Sequence, residues 1–154
     1  MDTLNTLLEQ AEAERNIALA AFNQARARRD AARDQSRGLD GYRDEYRQRW
    51  HAQFQRGAAL DIVRCYQQFA DRLELAIQQQ AHALHVCEAA LARAEDTLRA
   101  HELRVASVRK LIERRRDEQQ RTLARREQKV ADDHAMRMAR ARRSPAAARS
   151  VVSA

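Results

Sequence analysis

The fold class this sequence predicts is all-α: a long two-helix antiparallel coiled-coil hairpin with an overhanging C-terminal helix. Three observations predict it. Ala, Arg, Gln, Glu and Leu dominate the 154 residues, with 33% charged and 5% aromatic, which is helix-surface material with too few rings for a globular core. Three Gly and one Pro leave almost no turn chemistry, so few elements can be joined. Apolar residues recur at three- and four-residue spacing over two long stretches either side of one break, "FQRGAALD", as coiled-coil seams do.

The first element, residues 3–56, starts at Asp2 or Thr3, either of which can cap a helix. Its apolar seam reads Leu4, Leu8, Ala11, Ala18, Phe22, Ala25, Ala32 and Leu39, with Arg15 and Arg29 as misfits. It then continues through Tyr42, Tyr46, Trp50 and Phe54. So many alanines pack closely but bury little. Residues 57–60 form the turn, because Gly57 suits the position just past a helix end, and Asp61 or the residues before it begin the next helix.

The second element, residues 61–142, carries the cleaner pattern. Val63, Tyr66, Ala70, Leu73, Ile77, Leu84, Cys87, Leu91, Ala94, Leu98, Val105, Val108 and Ile112 keep the heptad rule, with Gln80 and His101 as polar exceptions. Pairing is expected to about residue 112, where "ERRRDEQQR" ends the seam and a basic overhang begins. Residues 143–154 are expected to be a disordered tail, since Pro145 cannot continue the helix. A short turn between long helices gives an antiparallel hairpin in which paired positions sum to about 116.

The formal net charge of +7 is concentrated at one end: residues 109–149 hold 14 Lys+Arg against 6 Asp+Glu, the preceding residues 15 against 16. Such a stretch suits a nucleic acid or an acidic protein surface. Acidic residues interleave with the basic ones, as in Glu113 with Arg116 and Asp117 with Arg121, which is how a solvated helix supports itself. No aromatic residue is present there to stack bases. An acidic protein surface is therefore the preferred reading, with a basic coiled-coil nucleic-acid binder as an alternative. A parallel homodimeric coiled coil is a third.

Catalysis is not expected. His82, His85 and Glu88 share a helix face at metal-ligand spacing, but a solvated face beside the seam is the preferred reading, and no phosphate loop or cysteine pair accompanies them. No cofactor is implied. Cys65 and Cys87, 22 residues apart, sit about 33 Å apart on one helix, too far for a disulfide. They read as small apolar residues in a reducing, cytoplasmic compartment. Nothing resembles a signal peptide or a membrane span, so any membrane contact is expected through partners.

The aromatic residues are the sharpest signal. Phe22 stands apart, and the rest fall between Tyr42 and Phe69. Folding about residue 58 brings Phe69, Leu73 and Ala76 alongside Tyr42 and Tyr46. Phe69 and Ala76 lie one position off the seam and are expected to be partly exposed. An aromatic–aliphatic patch on a charged helix pair marks a protein-binding face as readily as end packing.

"LDGYRDEY", then a turn, then "YQQFADRLELAI" resembles the flagellar export protein FliJ family, over residues 4 to 140. The resemblance implies a non-enzymatic stalk of the bacterial type III export apparatus, held at the cytoplasmic face of the inner membrane. It implies as partners the hexameric export ATPase of FliI type, the cytoplasmic domain of the gate protein FlhA, and export chaperones. Position by position, the gate-binding residues it implies are Gln35, Leu39, Tyr42 and Tyr46 with Phe69, Leu73 and Ala76. Gln80 stands where the family often has His. The equivalent stalk of a virulence type III secretion system is the neighbouring reading. Gly38 and Gly41 lie in the same stretch, each costing a helix about 1 kcal/mol relative to Ala.

Overall fold

The structure, a computed structural model, describes residues 1–144. Two helices account for nearly all of them, α1 (Asp2–Gln55) and α2 (Leu60–Arg142), and no strand is present among the described residues. All but the first two residues of the tail expected at 143–154 lie outside the described residues. Tertiary contacts divide the chain into two units, Leu7–Ala106 and the remainder, Met1–Thr6 with residues 107–144.

In the larger unit the helices pack antiparallel as a hairpin. The chain turns where the i→i+3 bonds Arg56 N–H to the Gln53 carbonyl (3.2 Å) and Gly57 N–H to the Phe54 carbonyl (3.1 Å) tighten the end of α1. Gly57 then takes φ 83°, a left-handed conformation that costs a side-chain-bearing residue about 1 kcal/mol or more. α2 starts on the Ala59 carbonyl, which accepts from Ile62 and Val63 (3.1 and 3.2 Å). Asp61 therefore lies in the first turn, where its charge favours the helix dipole, rather than at the cap.

Small residues of α1 and large ones of α2 fill the interface. Ala11, Ala18 and Ala32 are buried, as are Leu73, Leu98 and Val105. Half-buried residues continue both rows: Phe22, Ala25 and Leu39 on α1, and Val63, Tyr66, Ala70, Ile77, Leu84, Cys87, Leu91 and Ala94 on α2. Gln80 and His101 occupy seam positions, half-buried like their apolar neighbours. Cys65, by contrast, is exposed and only Cys87 is partly covered, because Cys65 falls between the seam positions Val63 and Tyr66, where the helix turns its side chain off the interface.

The seam of α1 departs from the sequence reading at its aromatic end. The expected continuation through Tyr42 does not occur: Tyr42 is 46% exposed, and Arg43 takes the inward position with Tyr46 and Trp50. Arg43 retains only 27% side-chain exposure. The reason is phase. The seam advances by alternating steps of three and four, and Leu39 to Arg43 to Tyr46 to Trp50 keeps that alternation where a run of fours does not.

In the smaller unit Val108 and Ile112 are buried and Leu4 is half-buried. Asn5 N–H donates to the Met1 carbonyl at 2.9 Å. The helix start is therefore the backbone of Met1, with Asp2 in the first turn, and neither Asp2 nor Thr3 acts as the cap. From 113 to 144 every residue is exposed. That segment holds its helix through local pairs such as Arg114 with Glu118 (3.4 Å) and Gln128 with Asp132 (3.1 Å).

Candidate functional site

Seven-residue steps, three- and four-residue steps and one turn bring six aromatic residues together at the hairpin end. Tyr46 lies at the centre. Its ring stacks on Tyr66 (centroids 5.4 Å, 17° between planes) and lies 4.6 Å from Phe69. Trp50 and Phe54 extend the cluster toward the turn, each against Tyr66 at 5.4 and 5.2 Å. Tyr42 closes the other end, edge-on to Phe69 at 6.3 Å and 6.2 Å from Tyr46. Offset and edge-to-face pairs of this kind add about 0.5–1.5 kcal/mol each beyond the area they bury. Burial among these rings pushes the Tyr46 phenol above its ordinary value of 10.0, because a phenolate would lose its hydration there.

The residues expected to form a docking face separate into surface and support. Tyr42 (46%) and Phe69 (38%) are exposed and in mutual contact. Gln35 is exposed, while Leu39, Tyr46 and Ala76 are half-buried. Leu73 is 8% exposed and belongs to the core. Gln80 reaches across from α2, its Nε2 donating to the Gln35 Oε1 and to the Ala32 carbonyl, both at 3.2 Å. It thereby fixes the polar end of the same face.

Arg43 is the residue that sequence reasoning missed. Its Nη1 lies 3.5 Å from Glu74 Oε2 on α2, and Asp40 and Asp44 flank it at 3.7 and 3.8 Å. Its Nε is buried without a hydrogen bond. A signal for it existed: Arg15 and Arg29 stand as misfits on the α1 seam, and the same fourteen-residue step reaches Arg43.

Other features carry no chemistry of this kind. His82, His85 and Glu88 are exposed, and no group of three metal-ligating side chains exists among the described residues. The depressions along the helices, such as that lined by Arg47, Gln48, His51, Phe54 and Tyr66, are open to solvent. No described helix is long and apolar enough to cross a membrane.

The larger unit is an antiparallel helical hairpin with an aromatic cluster beside its turn, and two rings of that cluster, Tyr42 and Phe69, are exposed. The family model for the flagellar FliJ protein matches residues 1–144, and the chain belongs to that family. Its role is accordingly in flagellar type III protein export, as a non-catalytic component. No curated protein and no solved structure matches the chain significantly.

Proposed function

We propose that this chain couples the export ATPase ring to the export gate and engages export chaperones, working at the cytoplasmic face of the inner membrane through those partners. The observation that carries the reading is the exposed Tyr42–Phe69 pair, centroids 6.3 Å apart. Large rings left partly in water and supported from beneath are what binding hot spots use.

In this reading Gln35, Leu39, Tyr42, Tyr46, Phe69, Leu73 and Ala76 form the face that meets the cytoplasmic domain of FlhA. Tyr42 and Phe69 contact the partner, Gln35 supplies a polar edge, and Tyr46 and Leu73 form the floor. The exposed segment 113–142, rich in Arg, is the part that approaches an acidic lining of the ATPase ring, where opposite charge speeds association and salt weakens it. Calorimetric titration of the full chain with the FlhA cytoplasmic domain tests the face. Tyr42→Ala and Phe69→Ala are each expected to weaken binding about tenfold or more while circular dichroism stays native. If both variants remain helical and bind normally, the face is assigned wrongly.

A further inference from the structure

The two rows of the hairpin seam carry different information. One row of α2 is apolar throughout: Val63, Ala70, Ile77, Leu84, Leu91, Leu98 and Val105. The register that joins Arg43 to Glu74 and Glu14 to Arg104 sets Ala18, Ala25 and Ala32 of α1 level with Leu98, Leu91 and Leu84. Sliding α1 by one heptad in either direction again sets small alanines against large aliphatic residues. This row therefore does not distinguish three neighbouring registers.

The turn at residues 56–59 resists such a slide only weakly. A heptad shared between two arms takes up about three to four residues, about one helical turn. The first turn of α2 buries little, with Leu60 67% and Ile62 42% exposed, so surrendering it costs little; the opposite slide unwinds the last turn of α1 and takes Phe54 off Tyr66.

On such a slide the rings of Tyr42, Tyr46, Trp50 and Phe54 exchange or lose their partners Tyr66 and Phe69, and the polar contacts across the helices lose theirs. Arg43 meets Glu74, Gln80 meets Gln35 and the Ala32 carbonyl, and Glu14 meets Arg104 (3.2 Å) and His101 (3.8 Å). After a one-heptad slide Arg43 is level with Gln67 or Ala81, and Glu14 faces Thr97 or Leu111 in place of Arg104. Gln80 is then level with Arg28 or Tyr42 in place of Gln35. In both slid registers Arg43 keeps its half-buried position and loses the carboxylate on α2. Asp40 and Asp44 travel with Arg43 and stay beside it in every register, so a slide removes only the carboxylate on the partner helix, and a polar residue in a seam fixes register through such a cross-helix partner.

We propose that these polar pairs are a register lock, and that Arg43 is the positioning residue that holds Tyr42 beside Phe69. The lock concerns the hairpin itself; only its consequence for docking rests on the function proposed above. The experiment uses the full chain with Cys65→Ser and Cys87→Ser, spin-labelled at Ala20→Cys and His82→Cys, both exposed. These labels are staggered along the axis, so a one-heptad slide changes their axial separation by about 10 Å.

A single distance is expected in the labelled parent. Arg43→Leu, and separately the Glu74→Gln/Gln80→Leu pair, are expected to add a second population displaced by that amount. Arg43→Leu should melt no lower than the parent, since it replaces a seam charge with an apolar group. Arg43→Lys, which keeps a cation beside Asp40, Asp44 and Glu74, should keep the single distance. A distribution that stays single in both polar-deleted variants, or a lysine variant that shows the second population, overturns the proposal. FlhA-domain affinity measured on the same variants falls only if the docking reading also holds, so the two failures are separable.

Discussion

Tyr42 and Tyr46 are one helical turn apart and chemically identical, yet their truncation should have opposite meanings. Tyr46 touches Tyr42, Trp50, Tyr66 and Phe69, with centroids between 4.6 and 6.2 Å, and is largely covered. Burying most of such a ring is worth about 2 kcal/mol, and losing its ring–ring geometry adds about 1–2 kcal/mol. Tyr46→Ala should therefore cost about 3–4 kcal/mol. Tyr42, 46% exposed, has two ring contacts, stacked on Tyr46 at 6.2 Å and edge-on to Phe69 at 6.3 Å, so Tyr42→Ala should cost about 1 kcal/mol. For a chain of this length that is a fall in melting temperature of roughly 6–16 °C against roughly 2–4 °C, read by thermal melts of far-ultraviolet circular dichroism. Loss of partner binding in Tyr46→Ala would then include damage to the hairpin end, whereas loss in Tyr42→Ala would report recognition. Equal destabilisation by the two would refute this division, and Tyr42 would be a packing residue.

Other outcomes follow from single features. A Cβ at Gly38 or Gly41 would meet nothing within 4 Å, so Gly38→Ala and Gly41→Ala should each raise stability by about 1 kcal/mol in chemical denaturation. Gly57→Ala should instead lose about 1–2 kcal/mol, because φ is 83° there. The Tyr46 phenol titrates above its unfolded value of 10.0, so its contribution is intact below pH 10. It declines as pH rises through the folded value, where the unfolded chain has already released its proton. Tyr46→Phe should flatten that alkaline loss in melts run from pH 8 to 11. Removal of residues 113–154 should leave the melting temperature unchanged within about 2 °C while reducing the helix signal, since residues 113–144 are all exposed.

Docking of acidic partners through the basic segment should weaken as salt rises. A nucleic-acid binder would share that trend, so the two are separated by competition. Excess duplex DNA should leave capture of the export ATPase by the full chain undiminished.

The seam of α2 was legible because its residues are large, aliphatic and almost uninterrupted, from Val63 to Ile112. Periodicity alone then fixes which side is inward. α1 was legible only in part. Its alanines mark an inward row, and Gly57 marks the turn, but Ala-rich helices bury too little to announce their phase. Folding about one turn predicts that Phe69 comes alongside Tyr42, and the two rings lie edge-on, both exposed. Leu73, which spacing places on the α2 seam, is buried there.

Sequence by itself determined that this chain is helical, turns once, buries a heptad seam and carries its basic excess after that seam ends. What the tertiary structure decided is which side of the aromatic ladder faces inward. Residues at four-residue spacing drift about 40° around a helix at each step, so Tyr42, Tyr46, Trp50 and Phe54 wind across the seam rather than along it. All four cannot be buried against one partner helix. Packing against α2 selects Tyr46, Trp50 and Phe54, seats Arg43 between Leu39 and Tyr46, and turns Tyr42 outward beside Phe69. Local spacing places residues on a helix; only the second helix, and the charge it offers at Glu74, settles the angle at which that helix is turned.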